Sequence, residues 1–409
     1  MKKLLFLFAL LLISFQLFAA VTVTPLWERS RNLNNAATNV TVDISTTQKT
    51  IAVARDTIFL QDNVDGVIYC YSAATGDYLT SFPSNTSDMN ITADDAGNLV
   101  LFGPEGATNL KAHVREANGT YTEINFGATK KVYFPTIIGN IQTKAYVWTF
   151  PTISGGTEAS AFCYEVTNKL VSNVKLINLN ILKTLTGRNH FATPISSDSV
   201  ILNMPNGFTA FIDKNKTYAA IGDMAIFIRN TVPVANDFPT QNGGEYFVYR
   251  GRKYFVQGCV NSTGGLKYAG AFKIYDVTNP ASVSIFYERT TNLGVEALAP
   301  EIMHFQAVVK PDGVYIYQYA PQNGMAAYKL SDTSTAVDDA IVGAKNVFCA
   351  DGRLHITATE AGNVEVFSLM GQKLLSEPVA VGNNELMLAN GSPQVLLVRI
   401  NEKLYKVAQ

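Results

Sequence analysis

The sequence predicts an all-β chain in two parts, and three observations carry that expectation. Short runs rich in Val, Ile, Tyr, Phe and Thr, bounded by Gly, Asn, Asp or Pro, recur along the chain. A hairpin pattern returns about every fifty residues through most of its length. Past a polar, small-residue stretch at 332–344, strand signals resume with a shorter rhythm.

Ahead of the first strand stands Met1-Lys2-Lys3, then an apolar run over 4–13. Ser14 and Gln16 break it, and it ends in Phe18-Ala19-Ala20. A cationic start, an apolar core and small residues in that order predict a secretory signal peptide over 1–20, cleaved after Ala19 or Ala20. The core is shorter than the ~20 residues a spanning helix needs, and no comparable stretch follows, so no transmembrane span is expected. No Cys sits at the cleavage point, which disfavours a lipid anchor. The mature chain is expected to be secreted or at the cell surface, with the periplasm as the alternative.

Composition excludes some partners. With 32 basic and 33 acidic residues, the chain carries no electrostatic footprint for nucleic acid. Tyr (19) and Phe (23) far outnumber Trp (2), as half-buried strands require. Cys70, Cys163, Cys259 and Cys349 lie too far apart for a metal knuckle or redox pair. Cys70 and Cys163 fall inside apolar strand patterns and read as buried thiols, although an oxidising compartment permits disulfides.

Strands are expected at 66–72, 98–102, 131–138, 144–150, 160–166, 199–204, 208–212, 245–250, 253–257, 269–277, 304–310 and 314–319. The stretch 173–185 fits a helix and a strand about equally. Within these runs one hairpin recurs: Val67-Ile68-Tyr69-Cys70-Tyr71, Ala161-Phe162-Cys163-Tyr164, Ala271-Phe272-Lys273-Ile274-Tyr275 and Ala326-Ala327-Tyr328-Lys329. Weaker copies are 111–116 with 120–126, and 208–213 with 217–221. Six hairpins at that spacing leave room for one four-stranded sheet each, which is the arithmetic of a β-propeller of about six four-stranded blades over 21–331. The first hairpin resembles repeats of quinoprotein-like propellers, and the fifth resembles other bacterial propeller repeats.

A longer match predicts how the ring closes. Leu26-Trp27-Glu28-Arg29-Ser30-Arg31-Asn32-Leu33 is similar to Phe286-Tyr287-Glu288-Arg289-Thr290-Thr291-Asn292-Leu293. The second copy falls on the outermost strand of the fifth unit. The first has no preceding partners, so an N-terminal strand closing the last blade is expected. A pair of packed sheets is the all-β alternative.

Residues 345–409 read as a small C-terminal β-sandwich, with strands at 346–349, 353–357, 363–369, 372–375, 385–388, 395–400 and 403–407. The turn Gly371-Gln372-Lys373, the strand Val398-Arg399-Ile400 and the terminal Lys406 make this module resemble the C-terminal sorting domain of the type IX secretion system of Bacteroidetes. Two positions depart from that pattern. Cys349-Ala350-Asp351-Gly352 stands where Pro-Asn-Pro is usual, and Gln394-Val395-Leu396 where Gly-Val-Tyr is usual. The resemblance implies the type IX machinery as partner, and edge-strand addition needs no catalytic residue.

No motif assigns catalytic, cofactor-binding or metal-ligating residues, and no cofactor is expected. His113, His190, His304 and His355 have no partner at ligand spacing, and nucleophile elbows and phosphate loops are absent. The acidic turns Asp62-Asn63-Val64-Asp65-Gly66, Asp94-Asp95-Ala96-Gly97-Asn98 and Asp312-Gly313 have calcium-like oxygens but read as tight turns. Asp56-Thr57-Ile58 and Asp198-Ser199-Val200 resemble short O-glycosylation acceptors of Bacteroidetes. The leading expectation is a binding module for an unknown surface or extracellular ligand, glycan or protein, with Trp148, Tyr246 and Tyr249 as aromatic candidates. The alternatives are a hydrolase or lyase drawing on Glu245, Glu288, Glu296 or Glu301, and a structural envelope component.

Overall fold

A computed structural model describes residues 21–30, 50–62, 66–84, 90–103, 109–128, 132–151, 160–179, 191–203, 208–229, 238–261, 268–291, 293, 303–320, 323–332, 341–342, 347–350, 353–368, 373–388, 395–401 and 403–408. The leader expected at 1–20, His190, Glu296, Glu301, Gly371 and Gln372 lie outside them. The chain divides into two compact units, Val23–Ser331 and a second containing Asp332–Gln409.

Among the described residues of the first unit are six four-stranded sheets. Five are meanders of consecutive strands, beginning with Ile51–Ala54, Asn90–Ala93, Val132–Asn140, Phe191–Pro194 and Phe238–Tyr249. The sixth pairs His304–Lys310, Gly313–Ala320 and Gly324–Asp332 with the N-terminal strand Val21–Ser30. The first strand of each sheet lies against the first strand of the next, and His304–Lys310 lies against both Phe238–Tyr249 and Ile51–Ala54. The circuit therefore closes in a propeller-like all-β fold.

Burial explains why strand patterns change outward from the axis. Ile51–Ala54 and Leu99–Gly103 are buried on both faces and read as unbroken apolar runs. Ile51 and Val53 pack with Tyr317 and Tyr319 of the sixth sheet, while Ala52 and Ala54 pack with Ile91 and Leu101 of the second. Large side chains so buried contribute roughly 1.5–3 kcal/mol each. Outermost strands such as Tyr78–Pro83 are mostly exposed. The six recurring hairpins of the sequence begin on the third strand of each sheet: Val67–Ser72, Lys111–Arg115, Ser160–Thr167, Phe208–Asp213, Tyr268–Asp276 and Gly324–Asp332.

One open alternative is resolved and one local expectation is corrected. The ambiguous stretch at 173–185 is strand over Leu170–Asn178, because it pairs along the edge of Ser160–Thr167. The strand expected at 217–221 is displaced to Ala225–Arg229, since the Asp223 carboxylate accepts the Ala219 and Ala220 N–H groups and winds a single 3-10 turn at Ile221–Asp223.

Five of the six sheets turn twice at one end, and the sixth turns once there because its fourth strand is the N-terminal one. The turns joining first to second strands there are short, and several use left-handed residues, Arg55, Gly97 and Gly251 among them. Connections at the opposite end lie wholly or partly outside the described residues.

The N-terminal strand is tied to both neighbouring sheets. The Trp27 indole N–H donates to the Ala73 carbonyl at 3.1 Å, and Arg29 pairs with Asp77 at 2.6 Å. Glu28 pairs with Arg289 of the fifth sheet at 2.9 Å. Arg29 and Arg289 are the matched arginines of the eight-residue repeat, and each reaches the sheet that follows its own.

In the second unit, a five-stranded sheet runs in the order Ile341–Val342, Lys403–Ala408, Val395–Ile400, Gly362–Ser368, Lys373–Val379. A three-stranded sheet pairs Val347–Ala350, Arg353–Ala358 and Gly382–Met387. Leu354 and Ile356 of the smaller sheet share one core with Val364, Val366, Leu396 and Val398 of the larger.

Gly76 has φ +72°, and a Cβ there would stand 2.6 Å from the Trp27 ring. Gly76→Ala is expected to unseat Trp27 and to lower stability by roughly 1–3 kcal/mol. Urea unfolding measures the loss. In a Trp148→Phe background, which leaves Trp27 as the one tryptophan, its emission should shift to the red.

Candidate functional site

The six first strands converge on a cavity of about 610 Å³ along the axis of the circuit. Each contributes backbone and small or polar side chains, among them Thr92, Thr136, Thr193 and Gly244. Gly244 is fixed by crowding, since a Cβ would stand 2.8 Å from the Phe255 ring and 2.9 Å from the Thr193 hydroxyl.

A first strand is hydrogen-bonded along one edge only, so its other edge carries bare N–H groups. Side chains of the preceding sheet accept them. The Ile51 N–H donates to Nδ1 of His304 at 3.2 Å and the Val53 N–H to Oε1 of Gln306 at 2.6 Å. The Ile91 N–H donates to the Thr50 hydroxyl at 2.8 Å. The Gly139 and Ile141 N–H groups donate to Asp95 at 2.7 Å and Asp94 at 2.8 Å. Glu245 accepts the Ala307 N–H. Among the described residues, these links all run from one sheet to the following one.

The seams set the ionisation of the cavity wall. Burial pushes the Glu245 carboxyl up to about 8; the Ala307 N–H draws it down and the Asp95 carboxylate raises it further. Burial also raises Asp95, against the Gly139 N–H, with the neighbouring Asp94 charge adding to the rise. His304 is held down to about 3 by burial, so it stays neutral and its Nδ1 stays an acceptor.

Of the two described acids among the four that sequence reasoning offered as a catalytic pair, Glu245 lines the cavity and Glu288 does not. Glu288 stands on an outermost strand, 3.3 Å from the Lys273 ammonium. Among the aromatic candidates, Trp148 and Tyr249 are core, and Tyr246 borders the cavity. Asp94 is filled by N–H donors from Ala96, Asn98 and Ile141, as a turn requires. Asp312 accepts from Tyr315 and Lys329. Among the described residues no cluster of His, Cys, Asp and Glu could hold a metal. Cys70 and Cys163 are buried free thiols, which burial pushes up to about 11 and about 12. The seam acceptors Thr50 and Gln306 escaped sequence reasoning, and Asp94 and Asp95 were read only as part of a tight turn. Their one signal was a polar residue within or just beside a strand buried on both faces.

In the second unit, Lys373 and Arg399 converge on Glu365. Lys373 pairs with it at 2.6 Å, and Nε of Arg399 donates to it at 2.8 Å. Those hydrogen bonds hold the Glu365 carboxyl below its ordinary range. Val398 points the other way and is fully buried, while Ile400 packs at the core margin. Lys406 pairs across from Leu397 on the last strand.

Glu245→Gln keeps an acceptor for Ala307 and removes the ionisation. The folded carboxyl holds its proton to about 8 against an ordinary 4.5, so unfolding releases a proton inside that window. The contribution of Glu245 to stability should therefore fall as pH rises through the window and level off above it. Denaturant unfolding at about pH 5, 7 and 9 should show that fall in the natural protein and its loss in the variant.

No family model matches the chain, and no curated protein matches it in sequence. Solved structures match it at low identity. A DUF4623 family protein from Bacteroides eggerthii is 8% identical at TM-score 0.48, over 70% of this chain and 71% of that one. BBS1N, crystallised in complex with ARL6DN, is 10% identical at TM-score 0.39, over 68% and 76%. BamB from Moraxella catarrhalis is 12% identical at TM-score 0.33, over 94% and 99%.

Proposed function

We propose that the chain is an exported six-bladed β-propeller that binds a glycan, protein or smaller ligand at the cell surface. In this reading the leader over 1–20 is removed, residues 21–331 form the ring, and Val21–Ser30 completes the sixth blade. Residues 332–344 are a linker, and 345–409 form a β-sandwich read by the type IX secretion machinery. One observation carries binding over catalysis. The carboxyl groups lining the central cavity, those of Asp94, Asp95 and Glu245, each accept a backbone N–H of the next sheet. Glycoside hydrolysis needs two carboxyl groups free to act on substrate. A cavity walled by backbone, hydroxyls and committed acids suits recognition instead.

The C-terminal part of the reading rests on the Lys373–Glu365–Arg399 cluster, which gathers motif positions from two separate stretches onto one exposed sheet face. Deleting 353–409 is expected to leave the protein in the periplasm, with fractionation and immunoblotting as the measurement. Truncated protein reaching the surface or medium at the natural yield refutes sorting by this module. For the ring, an array of glycans and extracellular proteins should return at least one specific ligand, and a blank array counts against binding.

A further inference from the structure

Beside the central cavity, a separate cleft of about 460 Å³ opens between the first and second sheets at the tight-turn end. Two arginines face it. Arg55 stands in the turn after Ile51–Ala54 with φ +49°, a left-handed conformation that non-glycine residues seldom adopt. Its neighbour Asp56 is engaged by Lys310 at 2.6 Å. Arg115 ends the third strand of the second sheet, and its guanidinium lies 4.1 Å over the Phe82 ring. The Nε of Arg115 is shut off from solvent and donates to nothing among the described residues.

The cleft's charges do not cancel. Its carboxylate, Glu116, is filled by Lys169 at 2.8 Å, the Thr122 hydroxyl at 2.6 Å and the Gln142 amide at 3.3 Å. The Lys169 charge offsets that of Glu116. Neither Arg55 nor Arg115 forms an ion pair with any carboxylate among the described residues. Two guanidinium groups thus share one opening, with the Phe59 ring as part of its apolar wall.

We propose that this cleft is an oxyanion-binding site, in which Arg55 and Arg115 together hold the carboxylate, sulfate or phosphate of a ligand about one or two sugar residues in size. Guanidinium forks match those groups in shape and charge. Stacking on Phe82 fixes the plane of Arg115 beforehand, so little side-chain freedom is lost on binding. Arg55 borders both openings and Arg115 the cleft alone, so the Arg115 variant is the one that assigns binding to the cleft and not to the central cavity.

Isothermal titration of the full mature chain tests it. The probes are a glucuronate-bearing disaccharide, a sulfated disaccharide and inorganic phosphate, with the uncharged disaccharide as control. At least one anionic probe should bind, the control should not, and affinity should fall as NaCl is raised. The strongest probe identifies the source of the oxyanion. Arg55→Gln and Arg115→Gln should each weaken binding by about tenfold or more, and Arg55→Lys by less. Arg55 lies in an exposed turn, so its variant is expected to melt with the natural protein, and Arg115→Lys, which keeps a cation beside Phe82, serves if Arg115→Gln fails to fold. No binding of any anionic probe, or equal binding by both glutamine variants, overturns the assignment.

Discussion

The bare edge of each innermost strand is the constraint on which the ring depends. In a flat sheet that edge would invite a foreign strand. Here side chains of a neighbouring sheet supply acceptors for several of those N–H groups beside the central cavity. His304, Gln306, Thr50, Asp94, Asp95 and Glu245 do so, each for the sheet that follows. Among the described residues the first, second, third and sixth sheets each have inner-edge N–H groups taken up by side chains of the sheet before.

The same constraint shapes the chemistry of the axis. An acid that accepts an N–H in a walled-in position is held by geometry and loses freedom to take part in reactions. His304 shows the complementary case, because a protonated imidazole has no lone pair for the Ile51 N–H. Burial, which disfavours that proton, therefore protects the joint between the sixth and first sheets. Outside the axis, ion pairs such as Arg29–Asp77 and Glu28–Arg289 lie at the surface, and each adds little by itself. Their worth lies in orienting a strand that arrives from the far end of the chain.

Much of this architecture was legible in the sequence, because third strands alternate between a buried and a half-buried face and carry a tyrosine-type residue before a turn. Val67–Ser72 and Ser160–Thr167 stood out for that reason. The first strands did not. Ile51–Ala54 and Asn90–Ala93 are only four residues long and lack alternation, since both faces are covered. The outer strand Leu170–Asn178 was obscured by exposed apolar residues, Leu170, Val174 and Leu176, which imitate a helical stripe. Sites were less legible still. Arg55 in a turn and Arg115 at a strand end lie sixty residues apart, and nothing in either stretch signals that they border one cleft.

The strand at 21–30 has a consequence for how the molecule comes into being. A chain made from its N-terminus presents this strand first, while its partner at 324–332 arrives only near the end of synthesis. Until then the Trp27 side has nothing from the sixth sheet to lie on, and the circuit stays open. The delay is one of time more than of free energy, because the entropic cost of joining distant segments grows only logarithmically with their separation. Completion of the circle is therefore a single late event that involves the whole domain, and a chain released early should lack it altogether.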